Sequence, residues 1–300
     1  MRRAIDERAE AAGFSVLKRE AAAISEAYRE GKSARLSGEG AIAAYMVTRM
    51  PATYAAAHAV LGELRGLEIA SVLDIGSGTG SAALAAREHF PAPGRLTLVE
   101  RVPSLAEVAL AFLPGAAAIH ADLSRMTAFP PHDLVIASWS LGELDSPIAA
   151  RLWEAARVAL VVIEPGTPRG SSLIRTIREE LLALGARLAA PCPAEMPCPL
   201  AAPDWCHFSA RVERSSLHRR LKDAALGYED EKYSYVALVR EPAALNWGRV
   251  LRRPRHNPGL IELKLCTPGG IVSRSVTRRD RAAFRAARQA QWGSRYCVGA

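Results

Sequence analysis

The chain has no apolar run approaching the roughly 20 residues that a membrane span requires; its longest strand-like one, Val158 to Ile163, has six. No membrane partner is expected. Nor is there an apolar stretch behind the charged start Met1-Arg2-Arg3-Ala4-Ile5-Asp6-Glu7, which excludes a secretory signal and leads to the expectation of a cytoplasmic protein. Internal repeats and low-complexity linkers are missing. No cysteine pair has the tight Cys-x-x-Cys spacing usual in zinc sites. Lysine is scarce, with 5 against 34 arginines beside 56 alanines; a coding bias toward GC explains the choice of Arg over Lys. A hydrophobic fraction of 49% with 23% charged residues excludes global disorder.

What is present begins with charge placement. Residues 241–300 hold 12 basic and 3 acidic side chains, a net of +9, while residues 1–240 balance to −1. Composition bias does not produce that segregation. A cationic final fifth favours a polyanion, nucleic acid first.

A chain of 300 residues suits one large domain with an appendage, or two small ones. Residues 1–66 read as Ala-rich helices interrupted from Gly31 to Gly40 and at Pro51. From residue 69, short β-branched runs alternate with helices: strands at 69–75, 95–100, 117–120, 134–138 and 159–164, helices at 81–89, 104–112, 148–157 and 171–184. Such alternation predicts a parallel sheet covered on both faces. Strands at 206–213 and 233–240 bracket a helix around 217–225. Three strand-like runs between Trp247 and Arg278 predict a small antiparallel meander, followed by a basic helix over 280–292.

The run Val72-Leu73-Asp74-Ile75-Gly76-Ser77-Gly78-Thr79-Gly80-Ser81 ends a strand and opens a helix. Alternate glycines let the backbone turn sharply and approach a ligand closely. Glu100 ends the second strand, placed to bind ribose hydroxyls, and Asp122 follows the third, within reach of an adenine. A dinucleotide fingerprint wants its third glycine one residue later, and a P-loop wants a lysine that is absent. The pattern over residues 69–165 resembles the first motif of class I S-adenosylmethionine-dependent methyltransferases. In that likeness Asp74 supports the loop near the methionine amine, and Ser138, Trp139 and Leu141 follow the fourth strand where the methyl group points. The donor arrives activated, so such a protein mainly aligns a nucleophile. The usual amino-methylating signature (Asp, Asn or Ser, then Pro-Pro and an aromatic) is missing from Ala137-Ser138-Trp139-Ser140-Leu141-Gly142-Glu143. No catalytic base is assigned.

Three of the five cysteines fall within fifteen residues as Cys192-x5-Cys198-x7-Cys206, in a loop punctuated by Pro191, Pro193, Pro197 and Pro199. Prolines keep such a segment extended and non-helical. Thiolate clusters suit zinc or iron–sulfur chemistry. Unequal spacing and Cys-Pro pairs tilt the reading toward iron and sulfide, with zinc as the alternative metal and buried apolar cysteines as the bland one. His207 is a further candidate ligand, or a satisfied surface histidine.

The stretch Asp204-Trp205-Cys206-His207-Phe208-Ser209, with Arg211, Arg214-Ser215, His218-Arg219, Lys222 and Tyr228-Glu229-Asp230-Glu231-Lys232-Tyr233-Ser234-Tyr235, closely resembles the methyltransferase-like family of mitochondrial small-ribosomal-subunit assembly proteins and their bacterial homologues. The run Gly259-Leu260-Ile261-Glu262-Leu263-Lys264-Leu265-Cys266-Thr267 and the closing Trp292-Gly293 match it too, so the likeness covers about residues 35–295. The resemblance implies a class I methyltransferase-like fold, association with the small ribosomal subunit and its rRNA, and a 4Fe-4S cluster on Cys192, Cys198, Cys206 and Cys266. Cys297 has no place in that pattern. The cluster would staple the basic tail against the sheet.

These readings combine into an α/β architecture: N-terminal helices (1–66), a Rossmann-like methyltransferase domain (67–242) with an inserted cysteine loop (191–207), and a small basic β segment with a helix (243–300). The expected cofactor is S-adenosylmethionine on Asp74, Gly76, Ser77, Gly78, Thr79, Gly80, Glu100, Asp122, Ser138 and Trp139, with RNA held by Arg252, Arg253, Arg255, Arg278 and Arg279. The leading function is methyl transfer to small-subunit rRNA. The other is a non-catalytic ribosome-assembly factor whose cofactor and cluster are structural or regulatory.

Overall fold

The computed structural model describes residues 2–29, 36–90, 94–144, 147–242, 245 and 247–297, with the side chains of residues 2–4 and 29 left out. Part of the expected break from Gly31 to Gly40 lies outside the described residues. Four helices come first: α1 (Arg2–Ala12), α2 (Phe14–Arg29), α3 (Glu39–Thr48) and α4 (Met50–Leu61). Pro51 opens α4 rather than breaking it, since the first turn has no N–H acceptor to lose.

The alternating part follows as β1 (Ser71–Ile75), α5 (Ser81–His89), β2 (Arg95–Glu100), α6 (Pro103–Phe112), β3 (Ala117–His120), β4 (His132–Ser138), α7 (Ala149–Ala155), β5 (Ala156–Pro165), α8 (Pro168–Ala183) and β6 (Arg187–Ala190). The chain continues through β7 (Phe208–Glu213), α9 (Ser216–Leu221) and β8 (Tyr228–Val239). The strands line up as β3-β2-β1-β4-β5-β8-β6, with β7 paired to β8. β1 to β5 are parallel, and the apolar residues of β1, β2, β4 and β5 are largely buried on both faces, as helices on both sides require, while the edge strand β3 is half-buried to exposed.

The predicted parallel strands are all parallel, and antiparallel strands extend the sheet at one end. β8 enters antiparallel between β5 and β6, and its first half forms a hairpin with β7. β8 is twelve residues long, so its second half completes the core while its first half extends beyond it.

A second sheet, β10-β11-β9-β13 with β12 on β11, is built from β9 (Gly248–Val250), β10 (Arg255–Asn257), β11 (Leu260–Thr267), β12 (Gly270–Thr277) and β13 (Arg295–Tyr296), with α10 (Arg281–Gln289) before the last strand. β11 alternates buried and less buried positions, and Ile261, Leu263 and Leu265 pack with Val276, Ala283 and Ala287 in a small core of their own. Asp280 caps α10, accepting from the Ala283 N–H at 2.9 Å. No described helix is long and apolar enough to cross a membrane.

Candidate functional site

The strand order reverses at β1, and a crevice opens beyond its carboxyl end. The glycine loop turns there into α5. Gly76 has a φ of 66°, and a Cβ on it would lie 2.6 Å from the Ser140 Cβ, so the two loops meet only because residue 76 has no side chain. Glu100 holds the loop from β2, accepting from the Gly78 and Val102 N–H groups, both at 2.8 Å. A carboxylate has further lone pairs, which leaves capacity for hydroxyl donors.

Asp74 is buried and accepts from the Ala83 N–H at 3.0 Å, satisfying one of the orphan donors that open α5. Burial pushes its carboxyl up to about 7, against the Ala83 hydrogen bond and with the Glu100 charge adding to the rise. Asp122 accepts from the Ser124 hydroxyl at 2.7 Å and N–H at 3.0 Å, and those bonds hold it below the usual carboxylate range.

Asp74, Gly76, Ser77, Gly78, Glu100, Asp122, Ser138 and Trp139 all line one cavity of about 910 Å³. Thr79 and Gly80 do not line it. Thr79 is buried with an unpartnered hydroxyl, and Gly80 caps α5 against Ala109 and Leu113. The Ser77 and Ser140 hydroxyls, from two residues in the lining, are also buried without partners, which suits a polar occupant. Trp139 has a φ of 55°, a strained conformation for a bulky residue, and its N–H donates to the Ile163 carbonyl at 2.8 Å.

The sequence reading missed the far wall. Tyr28 of α2 and Tyr45 of α3 line the same cavity and are hydrogen-bonded to each other. Arg49 lies 4.8 Å from the Tyr28 ring centroid and grips Glu231 of β8 at 2.8 and 3.0 Å. Aromatic residues on Ala-rich helices carry no local signal that separates a pocket wall from core.

A second cavity, of about 50 Å³, lies between α8, the cysteine loop and β11. Cys192, Cys198, Cys206 and Cys266 all line it. Among the described residues no group of three or more His, Cys, Asp or Glu stands arranged to hold an ion, so the thiols share a cavity without forming a closed metal polyhedron. Burial raises the Cys192 thiol, opposed by the adjacent Arg178 guanidinium. Burial raises Cys206 well above its ordinary range, and the neighbouring thiols add to this; Cys266 is pushed up to about 12 for the same reasons. His207 is not in the lining: it stacks on Trp205 at 5.2 Å and meets the Trp292 edge at 4.9 Å. Cys297 is exposed and also apart from the cavity.

Two ion-pair sets tie this region to the second sheet. Arg249, 1% exposed, donates to the Pro191 carbonyl at 2.8 Å and to Glu63 at 2.6 Å, and Arg295 donates to the same Glu63 at 2.7 Å. Asp204 accepts from Lys264 at 3.0 Å and from Arg252. Arg252, expected as an RNA contact, is therefore engaged inside the protein, because it is the loop's own counter-ion. Arg253 pairs with Asp230 at 2.7 Å while staying largely exposed. Arg255, Arg278 and Arg279 are exposed. Arg281, Arg285 and Arg288, which the sequence reading did not single out, are exposed along α10; their spacing of four and three marks one helix face.

The model of the family described as "Mitochondrial small ribosomal subunit Rsm22" matches residues 39–297. The human protein "Ribosome assembly protein METTL17, mitochondrial" is 30% identical over 294 residues, which cover 85% of this chain and 62% of that one. The "Rsm22-cox11 tandem protein 2, mitochondrial" of Schizosaccharomyces pombe is 25% identical over 336 residues, covering 87% of this chain and 44% of that one. The chain thus spans between about two fifths and three fifths of the length of these relatives. Among solved structures, a TehB-like SAM-dependent methyltransferase from Corynebacterium glutamicum is 17% identical with a TM-score of 0.40, over 62% of this chain and 87% of that one. These names overturn the cytoplasmic expectation, since the family model and both relatives are described as mitochondrial. An absent apolar h-region excludes only a secretory signal; mitochondrial leaders are amphipathic, Arg-rich and poor in acids.

Proposed function

The chain belongs to the Rsm22 family of mitochondrial small ribosomal subunit proteins, and from that premise we propose that it binds S-adenosylmethionine and acts on the small ribosomal subunit in a mitochondrial setting. The observation that carries the reading is the 910 Å³ cavity, which joins the glycine loop, Glu100, Asp122 and Trp139 at the switch point of the sheet. Glu100 would accept from the ribose hydroxyls, Asp122 would face the adenine, and Asp74 would brace the loop near the methionine amine. The sulfonium supplies an already activated methyl group. The chain's own part is to exclude water, align the acceptor and hold the loop after β4, which Glu164 does by accepting from the Leu141 and Gly142 N–H groups at 3.1 Å.

Methyl transfer to small-subunit rRNA is the leading activity. The loop after β4 favours a second reading: Ser138-Trp139-Ser140-Leu141 lacks the amino-methylating signature, which suits an assembly factor that uses the cofactor as a structural or regulatory ligand. RNA would be held by Arg253, Arg255, Arg278 and Arg279, all exposed.

The same proposal includes a sulfur-ligated centre on Cys192, Cys198, Cys206 and Cys266, a 4Fe-4S cluster in the first instance and zinc in the second. Its support is that four thiols, three from the cysteine loop and one from β11, share one cavity beside the guanidiniums of Arg175, Arg178 and Arg249, a donor set suited to thiophilic metals. Metal would take the place of the protons that burial keeps on Cys192, Cys206 and Cys266.

Titration with S-adenosylmethionine tests the first part. The wild type should bind and Glu100→Ala should not, while both co-sediment with small subunits. Loss of a methyl mark from small-subunit rRNA in a deletion strain selects the enzyme; an unchanged methylation map in a strain whose protein binds the cofactor selects the assembly factor. Anaerobically purified protein should be brown, with iron and sulfide in near-equal amounts. Colourless protein with bound zinc replaces the cluster by the second metal.

A further inference from the structure

Arg178 occupies a position where its helix calls for an apolar residue. Ile174, Ile177 and Leu181 form the buried stripe of α8 at spacings of three and four, and Arg178 falls within it. The residue is 4% exposed. Its Nη2 donates to the Ala194 and Met196 carbonyls at 3.1 and 2.6 Å, and its Nε is buried without a partner. Nearby cations are answered by acids: Arg187 by Glu195 and Arg249 by Glu63. Arg178 has no carboxylate within 4.0 Å among the described residues.

Carbonyl dipoles hold a guanidinium in place but do not neutralise it, and a buried, unpaired cation is strongly destabilising. A fold retains such a group when an anion completes it. The guanidinium lines the cavity of the four thiols. Arg175 also lines that cavity but is only half-buried, so solvent screens it. Arg178 is the buried cation of the lining without an ion pair of its own; Glu195, the partner of Arg187, acts on it only from beyond 4.0 Å.

We infer that Arg178 is the buried counter-charge of an anionic centre ligated by Cys192, Cys198, Cys206 and Cys266, a positioning residue that acts by charge and not as a ligand. The inference rests on the metal reading proposed above. Without a bound centre the cavity lining holds no acidic side chain to pair with Arg178. Four thiolates outweigh the charge of a divalent ion or an oxidised cluster and leave the centre net negative, so loading pairs the guanidinium and discharging exposes its cost.

The test compares wild type, Arg178→Lys and Arg178→Gln, each reconstituted anaerobically with iron and sulfide and, separately, with zinc. Metal retention against a chelator, the midpoint potential of the iron form and thermal unfolding with and without metal are measured. Arg178→Gln should lose metal at least tenfold faster. It should also disfavour cluster reduction by about tenfold, about 59 mV for a one-electron couple, because reduction adds negative charge that no cation then offsets. Arg178→Lys should stay near the wild type in both. Metal-free Arg178→Gln should be at least as stable as metal-free wild type, and the loaded form less stable than loaded wild type. If Lys and Gln behave alike, or if Gln lowers stability equally with and without metal, Arg178 merely anchors the loop carbonyls and the inference falls. A wild type that retains neither iron nor zinc sinks the centre and the counter-charge together; normal loading with an unchanged Arg178→Gln sinks the counter-charge alone.

Discussion

Glu164 ends β5 at 2% exposure, with the Leu141 and Gly142 N–H groups both donating to one of its oxygens. Burial outweighs those bonds and pushes the carboxyl up to about 7, with the charge of Glu143 adding to the rise. In the unfolded chain the same group ionises near 4.5. Between those values the folded state holds the extra proton, so stability falls as pH rises through that window and is level above it. Glu164→Gln keeps an acceptor for the loop and removes the titration. The variant should match the wild type in urea unfolding near pH 4.5 and exceed it at pH 8, by at most ~3 kcal/mol at 1.36 kcal/mol per pKa unit. An offset that is the same at both pH values would falsify this account. Asp74 should leave a similar slope in both proteins, because it too is raised to about 7. At this scale legibility was uneven. Glu100 was readable because an acid closing a β-branched run beyond a glycine loop has few other uses. Glu164 closes an equally β-branched run, Leu160-Val161-Val162-Ile163, and only the packing of the Leu141-Gly142 turn over it distinguishes a sealed carboxyl from a solvated strand end.

The parallel strands and their helices were readable as elements because each carries its own period. β6 was not: Arg187-Leu188-Ala189-Ala190 contains no β-branched residue, and its pairing with β8 supplies the order that its composition does not. Nor could any local pattern reveal that β8 enters antiparallel, since strand order is settled by packing between distant segments. The docking of the second sheet is of the same kind. Glu63, just beyond α4, answers both Arg249 of β9 and Arg295 of β13, and Arg249 also holds the Pro191 carbonyl at the head of the cysteine loop. Removing the acid leaves a guanidinium that is 1% exposed without its counter-ion. Breaking a buried pair from one side costs roughly 3–5 kcal/mol, and Glu63's own partial exposure (18%) puts Glu63→Gln at about 3 kcal/mol, the low end. Urea unfolding should show that loss, and limited proteolysis should cut first within residues 248–296. Cleavage that stays unchanged there would mean that the small core of Ile261, Leu263, Leu265 and Val276 docks the sheet without the ion pairs.

For the molecule as a whole, the sequence arithmetic assigned the cationic excess to residues 241–300, and the fold divides those charges into two groups. Arg249, Arg252 and Lys264 are spent internally on Glu63 and Asp204, holding the second sheet and the cysteine loop together. Arg281, Arg285 and Arg288 stand outward on α10, whose Ala283 and Ala287 pack inward on β11 and β12. A net charge cannot show this division, because it counts a paired arginine and a solvated one alike. The division has a consequence for the RNA binding proposed above. Each phosphate neutralised releases condensed counterions, and the dependence of log affinity on log salt steepens by about 0.9 per contact on duplex or about 0.7 on single strands. The triple variant Arg281→Gln, Arg285→Gln, Arg288→Gln should therefore weaken binding to small-subunit rRNA and flatten the salt dependence by up to about 2–3 in slope, while thermal unfolding changes little because none of the three side chains is buried. Arg252→Gln should do the reverse: it removes one of the two cations on Asp204, loosening the loop and lowering stability, and leaves the slope near that of the wild type. Filter binding over a salt series, run beside thermal melts of both variants, separates the two groups. A triple variant with the wild-type slope would confine the proposed RNA contact to Arg253, Arg255, Arg278 and Arg279.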